Sequence, residues 1–172
     1  MDNTKKKVLI VIDMQNDFID GALKNNEAIS IVGNVAEKVK ANREAGNLVI
    51  FTRDTHAPEY LETIEGKYLP VPHCIKGTDG WQITSAIEVL GSDKIIDKPT
   101  FGSLELAEYL ATIDFDEVEI IGVCTDICVI SNVMIVKAKF PEKEIFVDSS
   151  CCAGVTPESH DNALAAMKMC HI

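Results

Sequence analysis

Residues 7–13, 47–53, 94–97, 118–123 and 144–148 are nearly continuous runs of Val, Ile and other apolar side chains, the pattern of strands buried on both faces. Between them apolar positions recur at helical spacing, over 28–45, where Ile29, Val32, Val35, Ala36 and Val39 share one face, and over 104–113, 128–139 and 158–169. Ser103 and Thr156-Pro157 supply helix starts, and Gly46 a stop. This alternation predicts an α/β fold: a doubly wound, mostly parallel sheet sandwiched by helices in a Rossmann-like three-layer arrangement with right-handed crossovers. Residues 54–84 break the alternation with three prolines and no clean period. A connection that long in a compact domain usually carries function. With no internal repeat, linker or low-complexity stretch, residues 1–172 are expected to form one domain, large enough to bury most of the surface an unfolded chain exposes.

Charge and cysteine content narrow the function classes. With 27 acidic against 16 basic residues and a net charge of -11, the chain lacks the clustered cations that phosphate binding needs, so no nucleic-acid partner is expected. Lys5-Lys6-Lys7 and the apolar run that follows resemble the start of an export signal, but Asp13 cuts that run to Val8–Ile12, too short for export or for a membrane span. The expectation is a cytoplasmic protein with no membrane partner. Its six cysteines then read as thiols rather than a disulfide framework.

In a parallel α/β sheet ligands sit at the carboxyl ends of the strands, so the polar residues that stop each apolar run are the informative ones. The first run stops at Asp13, followed by Met14-Gln15-Asn16-Asp17-Phe18; the second at Arg53-Asp54-Thr55-His56; the third at Asp97-Lys98; the fourth at Cys124-Thr125-Asp126-Ile127-Cys128. Each has an ordinary structural reading: Asp13 as a turn former, Lys98 as a solvated surface residue, Cys128 as an inert buried thiol. Their joint placement on one rim favours chemistry. Cys128 follows a strand and precedes a helix, and a helix N-terminus and a nearby lysine are both expected to lower its pKa. A carboxylate such as Asp13 can take the thiol proton and later deliver it to a departing amine, while backbone N–H groups around Cys124 and Cys128 receive an oxyanion.

From Val8 onward, these motifs, with Pro72-His73-Cys74, Gly77-Thr78 and Lys98-Pro99-Thr100-Phe101, resemble the isochorismatase-like cysteine hydrolases, and within them the nicotinamidase-like branch. The resemblance implies a triad of Asp13, Lys98 and Cys128, and a cis peptide between Val123 and Cys124. It implies a divalent metal, with Asp54, His56 and His73 as ligands; the family's second histidine is missing, and Glu65 takes its place. Mixed carboxylate and imidazole ligands suit zinc first, then manganese or iron. Phe18 and Phe101 match positions that flank an aromatic amide, whereas an aromatic common in the branch, three residues before the last metal histidine, is Pro70 here. Isochorismatase proper lacks the cysteine nucleophile, so Cys128 points to a small-molecule amide substrate. A homo-oligomer is a further expectation of the resemblance. The alternatives are a related amidase acting on a ureido, carbamoyl or other small amide, a catalytically silent ligand-binding module, and a thiol redox protein. Cys124 and Cys128 have the wrong spacing for a Cys-x-x-Cys pair, and Cys151-Cys152 and Trp81 read as structural.

Overall fold

The first described strand becomes the centre of the sheet. A computed structural model describes residues 5–172, so the first four residues of the expected domain lie outside the described part. Strand β1 (Lys7–Ile12) is followed by a single turn, α1 (Asn16–Ile19), and a long helix, α2 (Asn26–Glu44). Next come β2 (Leu48–Asp54), a 3-10 turn at Tyr60–Glu62, α3 (Ile64–Tyr68) and β3 (Lys94–Lys98). The second half comprises α4 (Leu104–Leu110), β4 (Glu117–Val123), a wide turn at Thr125–Val129, α5 (Ile130–Lys139), β5 (Glu144–Ala153) and α6 (Pro157–Met169).

The five strands are all parallel, in the order β3-β2-β1-β4-β5. Ile10 of β1 registers against Ile50 on one side and Ile120 on the other, and Leu9 to Ile12 are fully buried. That burial is why these runs carry no polar alternation. Helix α2 packs across β1, β2, β4 and β5, while α4 packs with β3 and α5. The chain winds outward from β1 first toward β3 and then back toward β5, and right-handed crossovers in the two directions put helices on both faces. The order reverses between β1 and β4, which opens a crevice at their carboxyl ends. Gly122, with φ of 120°, lies so close to β1 that a Cβ there would meet Ile12 O at 2.1 Å. Glycine at this position lets the ends of β1 and β4 close up.

Two elements differ from the sequence pattern for identifiable reasons. Strand β5 runs on to Ala153 instead of stopping at Asp148, because its pairing with β4 jumps from Ile120↔Val147 to Gly122↔Cys152. The intervening Asp148-Ser149-Ser150 stretch bulges outward, which hides the continuation from an apolar-run reading. Cys151 and Cys152 then return to the core. The region 54–84 is ordered by short elements and by isolated bridges, Gln15 with Ile83 and His56 with Ile75. No helix among the described residues is long and apolar enough to cross a membrane.

Candidate active site

Three strand ends, remote in sequence, deliver Asp13, Lys98 and Cys128 to one point. Asp13 follows β1 in a left-handed backbone conformation (φ 49°), which Asp tolerates better than most residues. Its Oδ1 accepts a 2.6 Å hydrogen bond from Thr52 Oγ1 on β2, and its Oδ2 lies 2.6 Å from Lys98 Nζ at the end of β3. Lys98 Nζ also donates to Cys128 Sγ at 3.5 Å and to Thr100 O at 3.2 Å. The side chains of Lys98 and Asp13 are both 0% exposed.

Burial dominates the electrostatics. It raises the Asp13 carboxyl above its ordinary range even with Lys98 opposing the shift. It pulls the Lys98 ammonium down, but the charges of Asp13, Cys128 and Asp54 more than reverse that and keep it protonated. It pushes the Cys128 thiol well up, reinforced by Asp13, with Lys98 lowering it only in part. Lys98 thus lowers the thiol pKa as expected, but burial outweighs it and reverses the net shift expected for Cys128. Cys128 does not open the helix but lies within the wide turn, where Val129 N donates to Cys124 O five residues back, at 3.0 Å. Cys128 therefore rests as the thiol and Lys98 as the ammonium, and the Asp13 carboxyl beside them, its proton affinity raised by burial, is in its ionised form a stronger base toward the thiol proton.

A second cluster adjoins the first. Asp54 ends β2, His56 follows two residues on, Glu65 sits in the first turn of α3 and His73 in the loop beyond; one ligand atom from each lies within 4.8 Å of the others. His56 Nε2 is 2.9 Å from Asp54 Oδ2 and His73 Nε2 is 3.4 Å from the same oxygen; Glu65 Oε1 is 3.7 Å from both imidazoles. His73 Nδ1–H donates to Val71 O at 2.8 Å, so in the neutral ring Nε2 carries a lone pair facing a carboxylate oxygen. Two acceptors turned toward each other, together with an Asp54 Oδ1 that has no hydrogen-bond partner, fit a cation between them. Burial alone would raise the Asp54 carboxyl, but a hydrogen bond from His56, one from His73 when its ring carries the second proton that a cation would displace, and the Lys98 charge outweigh it and hold it well below the usual carboxylate range. Lys98 Nζ stands 3.6 Å from Asp54 Oδ1, so one cation touches both clusters.

Both clusters open on a cavity of about 580 Å³ lined by Cys128, Cys124, Asp54, Glu65 and His73, with Phe18 and Phe101 on its walls. His56, Asp13 and Lys98 stand behind this lining. The Val123–Cys124 peptide is cis. Burial pushes the Cys124 thiol up to about 12, which leaves it unreactive at neutral pH. Leu69 lines the cavity beside Pro70, and the aromatic ring next to the imidazoles comes instead from Tyr60, 4.7 Å from His56 and 5.0 Å from His73 between centroids. Trp81 packs under Arg53, 3.5 Å away, and away from the cavity. Sequence reasoning missed Thr52, Gln15 and the outer wall formed by residues 24–27 and 155–157. Gln15 grips the backbone of Asp54 from both sides, accepting from its N–H at 2.7 Å and donating to its carbonyl at 2.8 Å. Its place two residues after Asp13 was the available signal.

The profile of the isochorismatase domain matches residues 7–172, and the chain belongs to that family. Within it, the chain is 33% identical over 131 residues to Nicotinamidase 3 of Arabidopsis thaliana, covering 73% of this chain and only 63% of that protein. It is 32% identical over 179 residues to a probable inactive nicotinamidase of the same plant, covering 95% of this chain and 89% of that one. The crystal structure of a Pyrococcus horikoshii pyrazinamidase in complex with zinc superposes with a TM-score of 0.82 at 28% identity, covering 95% of each chain.

The buried thiol makes a measurable prediction. In metal-stripped protein, alkylation of Cys128 by iodoacetamide, followed by peptide mapping to separate it from exposed Cys170, should be slow at pH 7 and still climbing above pH about 8.5. A rate already on its plateau at pH 7 contradicts a thiol held protonated by burial.

Proposed function

We propose that the chain is a cysteine-dependent amidohydrolase that converts a small aromatic carboxamide, nicotinamide first, to the acid and ammonia through a thioester. The observation that carries this reading is the contact of Cys128 with Lys98, itself paired to Asp13, at the wall of a cavity. In the first half-reaction Asp13 takes the proton of Cys128, sulfur bonds to the amide carbon, and the oxyanion rests on the N–H groups of Cys124 and Cys128. The carbon–nitrogen bond then breaks as Asp13 returns the proton to the nitrogen, and ammonia departs. In the second half-reaction water attacks the thioester while Asp13 takes its proton, the carboxylic acid leaves and the thiol is restored. Lys98 stabilises whichever of Asp13 and Cys128 carries the negative charge. Phe18 and Phe101 hold the flat ring.

Asp54, His56, Glu65 and His73 would hold a divalent transition metal, zinc before manganese or iron, as their mixed nitrogen and oxygen donors suit. When bound it supplies a Lewis acid at the cavity wall. A second reading keeps the triad and changes the substrate to a longer ureido or carbamoyl amide. The cavity favours it, since nicotinamide, with about nine heavy atoms at no more than roughly 30 Å³ each, fills under half of the 580 Å³. A panel of amides scored by ammonia release separates the two.

Wild-type protein should release ammonia from nicotinamide, and Cys128→Ala should lose at least about a thousandfold in kcat with its melting temperature little changed. Near-normal turnover in that variant excludes the thioester route. Elemental analysis should find close to one transition metal per chain, and Asp54→Ala should lose it. Protein that holds no such metal, and whose melting temperature does not move when zinc is added, contradicts the ligand set.

A further inference from the structure

The geometry points to Asn132, outside the cavity, as a positioning residue that sets where Phe101 stands relative to Cys128, and so governs how well a flat amide is held before the thiol. The inference rests on the amidase reading above. Asn132 lies on α5 and is 0% exposed. Its Nδ2 donates to Cys128 O at 2.8 Å and to Phe101 O at 3.0 Å, and its Oδ1 accepts from Ser103 N at 3.0 Å. Both amide protons are thus committed, one to the nucleophile turn and one to the loop that carries the aromatic wall. That loop has few other ties: Lys98 reaches Thr100 O, and Gly102 presses so closely on α5 that a Cβ would meet Ile135 Cδ1 at 2.5 Å. Phe101 itself is 39% exposed, so packing alone holds its ring weakly. Lys98 also spans the two segments, from Cys128 Sγ to Thr100 O, but among the described side chains Asn132 alone bonds the backbone carbonyls of both Cys128 and Phe101, and only an amide of this length offers two donors and an acceptor in one plane.

The test is a cycle of Asn132→Leu and Phe101→Ala, with KM and kcat measured separately for nicotinamide. Asn132→Leu keeps the shape and removes all three hydrogen bonds. It should raise KM about tenfold, since displacements on the order of an ångström are enough to lose a held geometry. In the Phe101→Ala background the same substitution should raise KM no further. A role in general stability would lower the active fraction, and with it kcat, and leave KM alone. An unchanged KM in Asn132→Leu, or an equal rise with and without the Phe101 ring, overturns the inference. Should Asn132→Leu fail to fold, Asn132→Ser enters the same cycle with the same criteria. Wild-type protein that releases no ammonia from nicotinamide overturns the amidase reading as stated and this inference with it; activity with a flat KM overturns this inference alone.

Discussion

A carboxylate and an ammonium, both shut away from solvent, face each other at 2.6 Å where β1 and β3 end. Taking either charge out of water alone costs several kcal/mol, so each is tolerable only because the other is there. Everything proposed for this site depends on that pairing. Lys98 opposes the rise that burial gives the proton affinity of Asp13, and a carboxylate of raised pKa, once ionised, is the stronger base toward a neutral thiol. An activated, permanently ionised cysteine is not part of the arrangement. Burial holds Cys128 as the thiol.

The same lysine joins the two clusters. It stands 2.6 Å from Asp13 and 3.6 Å from Asp54, so the charge states of the two clusters are not independent. The surrounding structure serves to keep these groups at fixed spacing. Gly122 lets the ends of β1 and β4 meet, Thr52 orients one oxygen of Asp13, and Gln15 clamps the backbone of Asp54. Val155 N donates to Asp126 Oδ1 and so ties the wide turn at Thr125–Val129 to the segment before α6. These are contacts from strand ends and the loops beside them, the kind of support that precise placement of groups requires.

Much of this was legible in the sequence, for physical reasons. A strand buried on both faces must be apolar throughout, so its end is marked wherever a charged residue appears, and Asp13, Asp54 and Lys98 each mark one. The order of the strands and their helices follows from alternation and handedness. What could not be read depended on contacts across the chain. The outward bulge at 148–150 looks like the end of a strand, and the wide turn at 125–129 looks like the start of an ordinary helix, because each is defined by its hydrogen bonds and not by its composition. The direction of the thiol pKa shift was not legible, because a lysine and a nearby helix are visible in the sequence whereas the burial of Cys128 is not. Glu65 came from a missing histidine rather than from its own surroundings, and a five-residue helix capped by Thr63 sets its position. Asn132, polar on an otherwise apolar helix face, was a signal that the reading passed over.

The most direct test of the central claim compares three proteins by urea unfolding: Lys98→Met, Asp13→Asn, and the double variant carrying both. If the pair is buried and mutually dependent, Lys98→Met strands a buried carboxylate and should cost roughly 3–5 kcal/mol, and adding Asp13→Asn should restore most of that stability. A Lys98→Met variant no less stable than the double variant would contradict the account.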